Sequence, residues 1–300
     1  MLRYLTAGES HGPALVALVE GFPSGVVVDH DLINRELARR QGGHGRGKRQ
    51  TLETDVVHVD SGVYHGHTTG APITLRLINN DAKLQRLKQP NAPRGGHIDL
   101  AGSISYHTGI REVLERASAR ETAARVAAGA LAKVLLREVG IKVYGYVRSL
   151  GGIDAPPRTH DLAVRDASPV YTLNPEVDAA IIAAIDAARE AGDTLGGEVE
   201  AVVEGCPIGL GSHAQYDRKL DGRLAQAVMS IHAIKSVGIG VGQLAGTLPG
   251  SQVHDEILAM DDTTPASGTV PGIVRPTNRA GGLEGGVTNG EPVVVQGFMK

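Results

Sequence analysis

Apolar positions recur at strand-length intervals through the first eighty residues. "ALVALVEGF" (14–22), "DVVHV" (55–59) and "PITLRLIN" (72–79) each predict a strand, the last with Ile73, Leu75 and Leu77 on one face. Between the first two, "DHDLINRELARR" (29–40) opens on acidic residues, places Ile33 and Leu37 one helical turn apart and stops at Gly42-Gly43, which predicts a short helix. The longest helical signal runs over 111–139, with Val113, Ala117, Ala124, Ala127 and Leu131 at spacings of three, four and seven. Small residues on several of its faces predict a helix pressed between other elements. Further helices are predicted over 175–191, with Asn174 as cap, Pro175 in the first turn and Gly192 as stop, and over 217–235. Strands are predicted at 141–148, 197–204 and 291–299. Helices and strands come in unequal clusters without regular β-α-β alternation, so the class is α+β. The polar, Pro- and Gly-bearing segment 79–97 reads as a long surface loop of the kind that often carries function.

Composition narrows the function classes. A chain of 300 residues with 41% hydrophobic content can bury one substantial core. Its core must be aliphatic, because the chain has no Trp and two Phe. Thirty Lys and Arg against thirty-three Asp and Glu leave a net charge of −3, without the cationic surface of a nucleic-acid binder. No run approaches the ~18 apolar residues of a membrane helix, and "MLRYLTAGESHG" lacks a signal-peptide layout. The single cysteine, Cys206, cannot form an internal disulfide, which fits a reducing cytoplasm.

Against that balance, "RRQGGHGRGKR" (39–49) concentrates five cations and four glycines. Arg40, Arg46 and Arg49 can converge on a phosphate or carboxylate, because the glycines let the chain fold back and guanidinium forks match oxyanion geometry. The stretch leaves a helix at its negative end, so the side chains themselves must supply the field; a solvated loop is the alternative. His44 sits among these cations. His11, in "GESHG" (8–12), suits an acid or base acting on a phosphate leaving group, or else a structural loop position. His97, in "PRGGHIDL" (93–100), has Asp99 as a possible orienting carboxylate, or is a turn residue. "HGH" (65–67) lacks a third ligand at metal spacing. "GVGQLA" (240–245) matches a dinucleotide fingerprint, but the residues before it read as helix rather than strand. Taken alone, these residues describe an anion-binding cytosolic enzyme with two candidate histidines.

GESHG, GFPSG, the R-x-GG-x-GRG-x-R stretch, SGV-x-G-x-TTGAPI, GGHIDL, ERASARETAARVAAGA, GLGS-x-x-x-x-DRKLD and NRAGG-x-x-GG, in this order over nearly the whole chain, resemble the chorismate synthase family. The resemblance implies a β-α-β sandwich, helices packed between two antiparallel sheets, in a single domain over 1–300. It implies a cytoplasmic homotetramer that converts 5-enolpyruvylshikimate-3-phosphate to chorismate and phosphate with reduced FMN and no net redox change. By that resemblance Arg40, Arg46 and Arg49 hold the substrate, His11 protonates the departing phosphate, and His97 favours the reduced anionic flavin. Flavin contacts fall on Arg116, Ala117, Ser118, His232, Ala233, Gly285 and Lys300. No nucleotide-reductase module is visible, so an external flavin reductant is expected and NADPH with FMN alone should not sustain turnover. The chain stops at the first residue of the family's K-P-x-S-[ST] motif, carries a short 79–97 loop, and has Gly238 where the family has Glu. A catalytically silent paralogue, or a truncated form that binds FMN and substrate without turnover, is the alternative.

Overall fold

A computed structural model describes residues 2–47, 54–260 and 272–300, which divide into two compact units. The first comprises 1–42 and 46–136, the second 43–45 and 137–300.

In the first unit β1 (Arg3–Ala7), β2 (Ala14–Glu20), β3 (His58–Ser61) and β4 (Ile73–Ile78) form an antiparallel sheet in the order β1-β2-β4-β3. Alternation fixes the register: Leu15, Ala17 and Val19 of β2 and Ile73, Leu75 and Leu77 of β4 are buried, so a slip of one residue would turn them all to the opposite face. They pack with Ile33 and Leu37 of α1 (His30–Gln41) and with Ala123, Ala124, Ala127 and Leu131 of a later helix. The alanine-rich part of the predicted span thus forms a helix whose small residues Ala123, Ala124 and Ala127 are buried in this core. Truncating Leu75 or Leu131, each at most 1% exposed, would cost about 2–5 kcal/mol.

The helical signal over 111–139 is not one helix. After α2 (Asp99–Tyr106) come α3 (Ile110–Arg116) and α4 (Thr122–Glu138), separated by a 3₁₀ turn over Ala119–Glu121. Ser118 causes the break: its backbone is extended (φ −64°, ψ 142°) and its hydroxyl accepts from the Arg120 N–H, a local cap that competes with helical pairing. Lys133 Nζ, 2.7 Å from Glu36 Oε1, fastens α4 to α1.

The second unit holds a five-stranded antiparallel sheet. Its strands are β5 (Lys142–Leu150), β6 (Ile153–Asp154), β7 (Gly197–Glu204), β8 (Ile234–Ile239) and β9 (Val293–Met299), in the order β8-β9-β7-β5-β6. Three more helices belong here: α5 (Leu162–Ala167), α6 (Asp178–Glu190) and α7 (Leu220–Met229). Asn174 caps the 3₁₀ turn that leads into α6, as its side chain predicts. The helix expected over 217–235 ends at Met229, and the residues before "GVGQLA" are strand β8. A strand does precede that motif, but it lies in an antiparallel sheet and leads into a 3₁₀ turn over Gly242–Gly246, so the dinucleotide fingerprint lacks its helix. Strand β1 was also unforeseen: its "RYLTA" shows no clear alternation and is mostly exposed. Among the described residues, two larger antiparallel sheets, three two-stranded ones and segregated helices make the class α+β. No helix among the described residues is long and apolar enough to cross a membrane.

Candidate active site

His11 lies in the turn between β1 and β2. The turn begins at Gly8, where φ is +104° and a Cβ would stand 2.3 Å from the Ala14 carbonyl oxygen, so only glycine fits. Glu115, at the end of α3 and 1% exposed, organises the turn from beneath. Its carbonyl accepts from the Ser10 N–H at 2.9 Å, and Oε2 accepts from the His11 N–H at 2.9 Å. The same carboxylate accepts from His11 Nδ1, 2.8 Å from Oε2 and 3.0 Å from Oε1, while Arg111 Nη1 donates to Oε1 at 3.1 Å. Burial pushes the Glu115 carboxyl up, but the hydrogen bonds from His11 and Arg111 outweigh it and hold the group below its ordinary range. Glu115 is therefore an anion at neutral pH, and it fixes the tautomer by accepting a hydrogen bond from the Nδ1–H. The other ring nitrogen, Nε2, lies 3.7 Å from Asp81, which Lys83 pairs at 2.9 Å.

Arg40 stands in the last turn of α1. Its Nε donates to Thr122 Oγ1 and its Nη2 to the Ala119 carbonyl, both at 3.1 Å, and Nη1 lies 3.6 Å from Asp55. Arg120 Nη1 donates to the same carboxylate at 2.7 Å. Gly43 and Gly45 adopt left-handed φ, and Arg46 Nε reaches back to the Gly42 carbonyl at 2.8 Å, so the chain does double back after α1. Arg40 and Arg46 both flank the end of α1 but are tied to different groups, and Arg49 lies outside the described residues. His44 does not face the cations: its Nε2 bonds Asp186 on α6 at 2.8 Å.

His97 bonds through Nδ1 to Asp99 Oδ1, the orienting carboxylate expected from the sequence. Arg94 grips that carboxylate too, with Nε 2.8 Å from Oδ2 and Nη2 3.1 Å from Oδ1. Hydrogen bonding from Arg94, against the opposing effect of burial and aided by His97, holds the Asp99 carboxyl far below the usual carboxylate range. Sequence reasoning did not single out Arg94, Glu115, Asp81 or Arg120. Glu115 and Arg120 carried a signal as members of the dense "ERASARE" motif, and Arg94 as a member of "PRGGHIDL".

The remaining candidates fall into two sets. In the first unit, Arg116 donates to the Gly8 and Thr6 carbonyls at 3.0 and 2.7 Å, fastening the end of β1 beside Ala117 and Ser118. In the second, His232 and Ala233 form the turn from α7 into β8, and the Lys300 N–H donates to the Ala233 carbonyl at 3.0 Å. Ala233 has φ +67°, a left-handed strain of about 1–3 kcal/mol that tends to mark functional turns. Gly285 is in the tight hairpin turn before Val287, next to Gly286, whose carbonyl accepts from Leu220 at the start of α7. A Cβ at Gly285 would meet nothing within 4 Å.

The chain as a whole is similar to known proteins. The family model described as chorismate synthase matches residues 2–300. The chain is 52% identical to a chorismate synthase of Brevibacillus brevis and 50% identical to one of Geobacter sulfurreducens, in each case covering all of this chain and 80% of the relative. A solved structure titled as a crystal structure of chorismate synthase superposes with a TM-score of 0.83 at 41% identity, covering all of this chain and 83% of the other. With the family model spanning the described fold and half of all positions shared with these relatives, the chain belongs to the chorismate synthase family.

Proposed function

We propose that the chain is a lyase that eliminates phosphate from 5-enolpyruvylshikimate-3-phosphate to give chorismate, with reduced FMN as its cofactor. The observation that carries this reading is the His11–Glu115 pair, a histidine held by a buried carboxylate in the unit that also carries the anchored Arg40. In the elimination the C3–O bond breaks with its electron pair leaving on phosphate, the C6 proton is lost, and a C=C bond forms, so oxidation state is conserved overall.

His11 delivers its Nε2 proton to the departing phosphate oxygen. Glu115 holds the ring through Nδ1 and stabilises the imidazolium until transfer, a contribution of about 10²–10⁴-fold for a positioned acid. Arg40, already fixed by Thr122 and Ala119, meets a phosphate or carboxylate without losing further side-chain entropy. Arg46 and Arg49 complete the cationic set by resemblance.

Within the second unit, His232 and Lys300 offer imidazole and ammonium groups suited to a phosphorylated flavin, and a Cβ at Gly285 would meet nothing within 4 Å. By the family resemblance, Arg116, Ala117 and Ser118 are the flavin contacts expected of the first unit, and His232, Ala233, Gly285 and Lys300 those expected of the second. When bound, the reduced cofactor supplies electron density to the breaking C–O bond and a base for the C6 proton. His97, bonded to Asp99, is by resemblance the residue that favours the reduced anionic flavin. An external reductant, a cytoplasmic setting and a homotetrameric assembly complete the proposal.

The test is anaerobic phosphate release with dithionite-reduced FMN, comparing the parent chain with His11→Ala and Arg46→Ala. Turnover by the parent and loss in both variants is expected. Unimpaired His11→Ala would overturn the assignment of the acid.

A further inference from the structure

The turn that carries His11 is clamped by a side chain that has no part in the chemistry above. Asn79, just past the end of β4 and 3% exposed, donates from Nδ2 to three carbonyls of that turn: Glu9 at 3.2 Å, Ser10 at 3.3 Å and Gly12 at 2.9 Å. Its backbone N–H donates to the Pro13 carbonyl at 3.0 Å. The other end of the carboxamide is committed as well, since Oδ1 accepts from Arg120 Nε at 3.0 Å. Arg120 passes on to Asp55 at 2.7 Å, and Asp55 Oδ2 is the atom 3.6 Å from Arg40 Nη1. Asp55 and Arg120 are 4% and 6% exposed, so the connection from the His11 turn to Arg40 runs through buried groups with little freedom to slip.

We propose that Asn79 is a positioning residue: its buried carboxamide holds the His11 turn and, through Arg120 and Asp55, keeps that turn in register with Arg40. Resting on the reading of His11 as the acid and Arg40 as a substrate ligand, it adds the element that sets one against the other. The chemistry demands a carboxamide. A carboxylate in the same shape would still accept from Arg120 but would turn an acceptor toward three carbonyl oxygens, and an aliphatic side chain would leave those carbonyls without a buried donor.

The test is a double-mutant cycle on kcat for phosphate release, using Asn79→Asp, His11→Ala and the pair. Asn79→Asp should lower kcat by about 10²-fold, the effect of misplacing a catalytic group by about 1 Å. In the His11→Ala background the same substitution should change kcat by less than about threefold, because a residue acting through His11 has nothing left to position. Losses that multiply, or an Asn79→Asp enzyme at the parental rate, overturn the proposal. A His11→Ala enzyme at the parental rate instead refutes the assignment of the acid, and the role of Asn79 falls with it. Should Asn79→Asp not fold, Asn79→Ser, which keeps one O–H donor and adds no charge, goes through the same cycle. If His11→Ala leaves too little rate to measure, hydrogen exchange decides. The Ser10 and His11 amides should exchange at least tenfold faster in Asn79→Ser at unchanged global stability, and unchanged exchange overturns the proposal.

Discussion

Replacing Glu115 by Gln keeps the shape of a fully buried side chain and removes its charge. Every polar neighbour described around the carboxylate is a donor: the His11 N–H at 2.9 Å from Oε2, His11 Nδ1 at 2.8 Å from Oε2, and Arg111 Nη1 at 3.1 Å from Oε1. A carboxamide has one acceptor, so its NH₂ must face the His11 N–H on one side or Arg111 on the other. Each arrangement leaves one donor–donor contact, and a buried charged hydrogen bond lost this way costs about 1.5–3 kcal/mol. The ring is affected too. An amide N–H beside Nδ1 favours the tautomer with the proton on Nε2, and the imidazolium loses its anionic partner. The expected result is a fall in kcat of about 10²–10⁴-fold, the whole contribution of a positioned acid, with the fold intact. The assay is anaerobic phosphate release with reduced FMN, alongside thermal unfolding to establish that the variant is folded. A folded Glu115→Gln enzyme within threefold of the parental kcat would refute the claim that this carboxylate sets the working state of His11.

Gly8→Ala forces a Cβ to 2.3 Å from the Ala14 carbonyl oxygen at a φ of +104°. It should destabilise the chain by at least about 2 kcal/mol, read as a lowered Tm, and an unchanged Tm would contradict the described turn. Arg40→Lys keeps the charge but loses the planar fork that serves Thr122 and Ala119 while presenting a guanidinium edge to an oxyanion, so KM for the substrate should rise at least about tenfold with a smaller change in kcat. Asp99 gives the sign of a pH effect. Its carboxyl is held far below the unfolded value of 3.8, so its contribution to stability is complete above that pH and is lost as pH falls toward the folded value. Urea unfolding should find Asp99→Asn about 1–3 kcal/mol less stable than the parent at pH 7, with the gap shrinking below pH 4. A gap that does not vary with pH would remove the Arg94–Asp99 pair from the account.

Most of the frame was legible where burial imposes a period. Ile73, Leu75 and Leu77 alternate because one face of β4 is buried, and Ile33 and Leu37 mark the inner stripe of α1. Legibility failed where a local polar contact overrides the pattern. Ser118 interrupts a run of good helix formers because its own hydroxyl caps the next turn, and no periodicity records that choice. Strand β1 has little burial to write an alternation, so its pairing with β2 could be read only from the fold. The candidate site divides in the same way. His97 with Asp99 is a local pair, two residues apart, and was visible in the sequence. Glu115 lies 104 positions from His11, and Asn79 is joined to the same turn across some 70, so nothing in the spacing connects them. His44 was misplaced among the cations because its Asp186 partner is 142 positions away.

The central claim is that this chain itself carries out the elimination, and product stoichiometry tests it most directly. The parent chain is incubated anaerobically with 5-enolpyruvylshikimate-3-phosphate and a small amount of dithionite-reduced FMN, and phosphate and chorismate are quantified together. The account predicts equal amounts of both, many times the flavin present, with none formed when the flavin stays oxidised. Binding of flavin and substrate without release of phosphate would contradict it and leave a chain with the fold of its family but not the activity.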